Sequence, residues 1–144
     1  LAMAATRKRL TAMDAPYSYY VSSREENGAS AEVRADVSLR SNVSEEALCN
    51  VCLREYGRDA GTLPVSKADQ DKIRTLQNAD PLTLVDYWCI DQNYDGINFK
   101  TEQWFARERG RLPVEALFLP GPNRCIAVKV YDVFGGFGIL VAHL

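Results

Sequence analysis

The sequence predicts an α+β protein, with a small antiparallel β-sandwich in the C-terminal half and one or two helices in the N-terminal half. Two strand-like apolar runs, residues 84–90 and Cys125–Phe134, indicate the sheets, and an acidic turn at Asn93–Gly96 follows the first run. Apolar residues at helical spacing after Ser44 indicate a helix upstream. At 144 residues the chain is long enough for one domain with its own core.

The first 30 residues are predicted to be an extension of helix and loop that continues from an upstream domain. Residues 1 to about 13 contain good helix formers and no breaker, and Tyr17–Val21 has the composition of a short strand. A β-rich accessory domain then spans residues 31–144. It begins with Ala31–Arg40, where small or apolar residues alternate with polar ones, as in a strand with one buried and one solvated face.

Two helices are expected between this strand and the centre of the chain. Ser44 suits an N-cap, because Glu45 and Glu46 follow it and favour the positive end of a helix dipole. Apolar residues then recur at helical spacing as far as Gly57, a residue that commonly ends helices. Residues 73–84 are expected to contain a second, short helix.

The central strand, residues 84–90, is apolar on both faces, which is typical of a strand inside its sheet. Its core residues are predicted to be Tyr87, Trp88 and Ile90. Cys125–Phe134 has the strongest strand pattern in the chain and is its predicted pairing partner.

The Asp95-Gly96 pair predicts a tight turn directly after the central strand, since both residue types reach positive φ readily. Residues 97–105 are then expected to return as a strand. Val114–Leu119 is a short apolar run, and Ile139–Leu144 is an apolar end.

Composition restricts the class of protein. The formal net charge is −2, which argues against a surface that attracts polyanions everywhere but is compatible with a local basic patch. No apolar run reaches the ~18 residues of a membrane span. The chain begins with Leu1, and its early basic residues follow an apolar stretch, the reverse of a secretory signal. We therefore expect a cytoplasmic fragment of a longer protein, without a membrane partner.

Cys49 and Cys52 have the C-x-x-C spacing of a zinc half-site or a redox pair. Cys89 and Cys125, the other two cysteines, lie in apolar strand-like runs without a nearby second ligand. The favoured interpretation is four reduced, buried or half-buried thiols. The only histidine, His143, stands next to the end of the chain, so the sequence offers few residues for a Cys-His or Ser-His catalytic pair.

Four acidic residues around the strand ends are an alternative cation site. Asp86, Asp91, Asp95 and Asp132 could gather at one end of a sandwich and bind calcium, which prefers several oxygen ligands. They lack the spacing of a loop site. The favoured prediction is therefore no metal in this chain, with Asp95 serving the turn.

Several motifs resemble the C-terminal domain of a group of prokaryotic site-specific DNA methyltransferases from type III-like restriction–modification systems. The resemblance covers roughly residues 30–136 and depends on four segments: Asp86–Asp91, Tyr94–Phe99, Gln103–Arg107 and Ile126–Gly135. It implies a non-catalytic accessory domain that assists DNA engagement or subunit assembly, attached to an upstream methyltransferase domain. Residues 84–136 also look like a polycystic-kidney-disease (PKD) repeat, a β-sandwich module that would serve protein interaction with no nucleic-acid role.

The resemblance leaves one cofactor question open. Asp132–Gly138 looks like the Gly-rich motif under S-adenosylmethionine, which requires a helix after the last glycine. Only six residues follow Gly138, too few for that helix. We expect S-adenosylmethionine to belong to the parent protein and no cofactor in this chain, with binding through Asp132–Gly138 as the alternative.

The best nucleic-acid candidates are Trp104, Arg107, Arg109 and Arg111. Arginines at alternate positions of a strand would face one side and meet successive phosphates, while the neighbouring aromatic side chains would stack an exposed base. The alternative is a solvated hairpin edge protected by its charge.

Overall fold

A computed structural model of the protein describes residues 17–21, 29–41 and 47–144. Their order along the chain is β1 (Tyr17–Val21), β2 (Ala31–Ser41), β3 (Ala47–Arg58), a 3₁₀ turn (Ala60–Thr62), α1 (Lys67–Ala79), β4 (Val85–Asp91), β5 (Gln103–Ala106), β6 (Glu115–Phe118), β7 (Cys125–Asp132) and β8 (Phe137–His143). The strands form two four-stranded sheets: sheet A has the order β1-β2-β3-β6, and sheet B has the order β5-β4-β7-β8. All neighbouring strands are antiparallel.

Strand β2 confirms the alternation in the sequence: Ala31, Val33, Ala35 and Val37 are buried, Leu39 is half-buried, and the intervening charged positions are more exposed. Its partner β3 carries a bulge, because Arg34 pairs with Glu55 and Ala35 pairs with Leu53, which leaves Arg54 as the extra residue. A bulge changes which face the following side chains occupy. As a result, Tyr56 is buried on the core side, where a regular strand would have placed Glu55.

The helix predicted from Ser44 to Gly57 is wrong over the residues that the structure describes, because residues 47–58 form β3. The apolar positions of this segment fit either period, and Cys49, Val51 and Leu53 point into the core at strand spacing. Pairing with β2 along the strand and with β6 at residues 49–52 supplies backbone hydrogen bonds to partners distant in the sequence. Residues 42–46, with the predicted cap, lie outside the described ranges.

One helix is present in the described part of the chain, and it starts earlier than predicted. Helix α1 begins after Ser66, whose hydroxyl accepts a hydrogen bond from the backbone N–H of Asp69. It ends at Ala79, with Asp80 as its C-cap just before Pro81, and buries only Ile73. The prediction of a helix in this region is therefore confirmed, but the helix covers residues 67–79 and not 73–84.

Sheet B contains the predicted central pair. Strand β4 lies between β5 and β7, and Trp88 is opposite Val130 in the antiparallel β4–β7 register. The return strand is shorter than expected, since β5 covers only Gln103–Ala106. The apolar end of the chain forms β8, which pairs with β7.

Buried side chains from both sheets form one large hydrophobic cluster, and a second, smaller cluster contains Tyr94, Cys125, Ala127 and Ile139. Trp88 is at the centre of the large cluster with no exposed surface: its ring stacks on Phe105 with centroids 4.6 Å apart, and its Nε1 donates to the carbonyl of Pro113 at 2.7 Å. The indole therefore buries a large apolar area without leaving its N–H unsatisfied.

The N-terminal predictions have different outcomes. The strand at Tyr17–Val21 is confirmed as β1, and its pairing with β2 places part of the predicted extension in sheet A. The helix expected over residues 1–13 lies outside the described residues. Among the described residues, no helix has both the length and the hydrophobicity of a membrane span.

Candidate binding face of sheet B

The segment that holds the three arginines is a tight turn. Arg109 and Gly110 have positive φ values of 52° and 77°, and Glu108 and Arg111 exchange both backbone hydrogen bonds at 2.8 Å. These features define a two-residue hairpin loop of the type I′ kind. The expectation that alternate arginines share one face of a strand is therefore wrong, because the chain reverses direction between them. We call residues 107–111 the arginine turn.

The arginines of this turn differ in their contacts. The half-buried Arg107 donates to three backbone carbonyls, those of Val85 at 3.0 Å, Leu82 at 2.8 Å and Gly110 at 3.1 Å. Its guanidinium thus fastens the turn to the start of β4. Arg109 and Arg111 are exposed and contribute to the lining of an open depression of about 610 Å³ next to Pro113.

Trp104 lies on the outer face of sheet B, the face turned away from the core cluster. It is 62% exposed, and its ring meets Tyr87 edge-on, with centroids 5.8 Å apart and planes at 89°. Tyr87 stacks on Tyr131 at 4.6 Å, and Tyr131 approaches Phe137 at 6.2 Å. Each of the four strands contributes one of these side chains, and we call them the aromatic row.

A lysine lies beside this row. The ammonium of Lys129 is 4.7 Å from the ring centroid of Phe137, 5.3 Å from that of Tyr131 and 5.8 Å from that of Phe99. Cation–π attraction at these distances holds a positive charge on the outer face, where the described residues provide no acidic partner within ion-pair distance. The outer face of sheet B therefore combines exposed aromatic surface with a fixed cation.

The sequence placed Tyr87 in the core, whereas the structure places it half-buried in the aromatic row. Its pKa is raised, first by burial and then by neighbours that include Tyr131 and the exposed Asp86. Tyr131, Phe137 and Lys129 were not predicted as site residues. Alternation along β7 could have indicated that Lys129 and Tyr131 share a face, but only the strand order places Phe137 beside them.

Three of the four acidic residues of the alternative cation site, Asp91, Asp95 and Asp132, accept hydrogen bonds from backbone N–H groups, and the fourth, Asp86, is exposed. The buried Asp91 accepts from the N–H groups of Asn93 and Lys100. Asp95 accepts from Asn98 and Ile97, and these two bonds lower its pKa. In the described ranges, no group of three or more His, Cys, Asp or Glu residues is arranged to bind a metal ion.

Asp132 is a core residue that joins the two sheets. One carboxylate oxygen accepts from the Tyr56 hydroxyl at 2.6 Å and from Arg58 Nη1 at 2.8 Å, and the other accepts from the N–H groups of Phe134 and Gly136 at 2.7 and 3.0 Å. Burial alone would raise the pKa of Asp132, but these hydrogen bonds outweigh it and the pKa is lowered. Both carboxylate oxygens of Asp132 are therefore hydrogen-bonded within the fold.

The glycines after Asp132 have packing roles. Residues 132–136 turn directly into β8, so a strand follows where the S-adenosylmethionine motif requires a helix. A Cβ on Gly136 would come within 2.2 Å of Arg58 Nη1, and one on Gly138 would come within 2.8 Å of the Ala31 carbonyl oxygen. These glycines therefore allow β8 to approach sheet A closely.

The four cysteines are free thiols, and three of them are buried. Cys49 faces the core, and burial raises its pKa to about 12. Cys52 is three residues further along the same strand and thus on the opposite face, where it is half-buried. The C-x-x-C spacing does not bring these two thiols together, because both residues lie on β3.

Comparisons with protein-family models, with curated proteins and with solved structures found no match for this chain. The chemistry available on the outer face of sheet B is that of its own side chains. An indole with a free surface can stack on a flat ring, and Lys129, Arg109 and Arg111 can attract an anion. A nucleic-acid strand presents both kinds of group, because its flat bases are joined by anionic phosphates.

Proposed function

We propose that this chain is a non-catalytic accessory domain that engages DNA through the outer face of sheet B and the arginine turn. On this proposal it is the C-terminal domain of a cytoplasmic DNA methyltransferase, and it assists DNA engagement or subunit assembly. S-adenosylmethionine would bind to the upstream methyltransferase domain and not to this chain. The motif resemblance supports the choice of parent protein, and the geometry of the outer face supports DNA as the partner.

The observation that carries the proposal is that the aromatic row and the Lys129 ammonium share the outer face of sheet B, and that the strand of Trp104 continues into the arginine turn. Trp104, the most exposed member, lies on the strand that leads directly into the arginine turn. Arg109 and Arg111 supply exposed guanidinium groups suited to phosphate. Arg107 contributes by holding the turn in place through its three hydrogen bonds to carbonyl groups.

The backbone of Arg109 gives this interpretation further support. A type I′ turn favours Asn, Asp or Gly at its first central position, because other residues are strained at positive φ. Arg109 occupies that position at φ 52°. Residues held in a strained conformation are common at functional sites, and a role for the guanidinium group would explain why a poorer turn residue stands there.

This reasoning makes Arg109→Asn an informative variant. Asn suits the turn better than Arg, so Arg109→Asn should raise the free energy of unfolding by about 0.5–1 kcal/mol. The combined variant Arg109→Asn/Arg111→Gln should nevertheless bind DNA more weakly, since it lacks two phosphate-binding groups. A protein that is more stable but binds less tightly cannot owe its loss of binding to misfolding.

Fluorescence anisotropy with labelled DNA at several salt concentrations tests the proposal. Each lost phosphate contact should reduce the slope of log K against log salt by about 0.7–0.9. The matched control is Lys67→Gln/Lys72→Gln, which removes the same charge from exposed positions on α1. Equal binding by the two double variants, or no DNA binding by the unmodified protein, would reject the proposal.

A second candidate is a PKD-like β-sandwich that binds another protein and no nucleic acid. It is favoured by the large core cluster shared by two antiparallel sheets and by the exposed side chains of Val133 and Phe134 at the β7–β8 turn. Val133→Ser/Phe134→Ser separates the two candidates when the parent protein's assembly and DNA binding are measured together. Loss of assembly with intact DNA binding supports a protein-binding role for this turn, and the reverse opposes it.

A further inference from the structure

We propose that the DNA engaged by this domain is unpaired, and that one exposed base stacks on the indole of Trp104. This inference rests on the proposed function and goes beyond it by naming the form of the nucleic acid. The only requirement is an accessible base face, not a particular sequence. Single-stranded DNA that an upstream domain has opened would also meet this requirement.

The orientation of the aromatic rings selects Trp104 as the stacking position. Tyr87 and Tyr131 lie nearly parallel, with 15° between their planes, so that each covers one face of the other. Trp104 stands at 89° to Tyr87 and touches it edge-on, which leaves an indole face available to solvent. The contact with Tyr87 also restricts the indole before any ligand arrives, and this reduces the entropy lost on binding.

Duplex DNA cannot use this face in the same way. Each base inside a duplex is stacked on both sides, and proteins read it through groove edges, which a helix or a two-stranded ribbon can enter. An indole on a sheet surface would meet phosphates and sugars instead. An unpaired base presents its π face, and stacking on an aromatic side chain is the usual means by which sheet surfaces bind single strands.

Three basic side chains of this region suit the phosphates of such a strand. Lys129 carries its ammonium beside the aromatic row, and Arg109 and Arg111 follow β5 in the arginine turn. The carboxylates of Glu102 and Asp95 accept hydrogen bonds from the backbone and keep their negative charge, and the exposed Asp86 and Glu108 add to the acidic groups that oppose an anion. The cations available to the phosphates are therefore Lys129 on β7 and the two exposed arginines in the turn that follows β5.

Tryptophan fluorescence gives a direct readout, since Trp88 is fully buried and Trp104 is the exposed member of the pair. Iodide should quench Trp104 selectively. A single-stranded oligonucleotide should protect Trp104 from iodide, and a duplex of the same sequence should not. An oligonucleotide with abasic sites retains the phosphates and lacks the stacking ring, so it should bind in a salt-dependent manner without this protection.

Affinities of the unmodified protein and of Trp104→Ala complete the test. We expect Trp104→Ala to weaken single-strand binding about tenfold or more, to leave duplex binding unchanged and to remove the preference for single strands. Trp104→Phe, which keeps an aromatic face, should retain part of that preference. Unfolding followed by circular dichroism verifies that the variants fold.

Each contrary outcome has a separate meaning. Equal affinity for single strands and duplex, unaffected by Trp104→Ala, overturns the inference and leaves the proposed DNA-binding function standing. Absence of binding to either form overturns both. Protection of Trp104 by a neutral polysaccharide and not by the oligonucleotide also overturns the inference, because the stacked ring would then be a sugar.

Discussion

Replacing Asp132 with Asn should destabilise the protein more than any comparable change at its surface. The side chain of Asp132 has no exposed surface and accepts four hydrogen bonds, two of them from Tyr56 and Arg58 across the sheets. The amide would present a donor where a carboxylate oxygen now accepts. It would also leave Arg58 without its counter-charge, at a guanidinium whose Nε already lacks a hydrogen-bond partner among the described residues.

The magnitude follows from the burial of the pair. Removing one member of a buried ion pair costs about 3–5 kcal/mol, because the remaining charge is left desolvated. Arg58 keeps 13% of its side-chain surface exposed and can recover some hydration, so we expect a loss of about 3 kcal/mol. Tyr56→Phe removes only one hydrogen bond to a charged group and should cost about 2 kcal/mol.

Urea denaturation followed by circular dichroism measures these losses. The matched control is Asp71→Asn on α1, which breaks an ion pair of the same 2.8 Å length to Arg74 with both side chains exposed. We expect the control to change the free energy of unfolding by less than about 0.5 kcal/mol. If Asp132→Asn cost no more than Asp71→Asn, the carboxylate would not be the inter-sheet link that its contacts indicate.

The same carboxylate predicts a dependence on pH. The pKa of Asp132 is lower in the folded protein than in the unfolded chain, so its contribution is present above the unfolded value and is lost as pH falls through the folded one. The unmodified protein should therefore lose stability below about pH 4 more steeply than Asp132→Asn. Parallel acid profiles of the two proteins would contradict this assignment.

Three further predictions concern the turn, a glycine and the thiols. Arg107→Ala should lower stability by about 2 kcal/mol in thermal or urea unfolding, because three backbone carbonyls lose a charged donor; an unchanged midpoint would refute its anchoring role. Gly138→Ala should destabilise by about 1–3 kcal/mol, since its Cβ would collide with the Ala31 carbonyl, which cannot rotate away as a side chain would. In the native protein, iodoacetamide should alkylate the half-buried Cys52 before the buried Cys49, and mass spectrometry of timed samples would reveal the opposite order if the burial assignment were incorrect.

Local sequence patterns were sufficient to predict secondary structure where the apolar residues fitted the strand period and not the helix period. Strict alternation identified β2, and two apolar runs identified β4, β7 and their pairing. The segment that became β3 contained both periods, and its strand pairing with β2 and β6, which involves residues far away in the sequence, decided between them. A bulge at Arg54 then turned Tyr56 and Arg58 inward, and no feature of the sequence locates that extra residue.

The candidate site was likewise predictable from the sequence only in part. The sequence by itself identified Trp104 and the arginines as an unusual pairing of aromatic and basic residues, and it identified the apolar runs that form sheet B. Only the tertiary structure decided that the arginines form a turn and that Arg107 is engaged with carbonyl groups. It also decided that three more aromatic side chains and Lys129 share the outer face of sheet B with Trp104. The physical reason is that side-chain alternation is local, whereas strand order and register depend on contacts between residues distant along the chain.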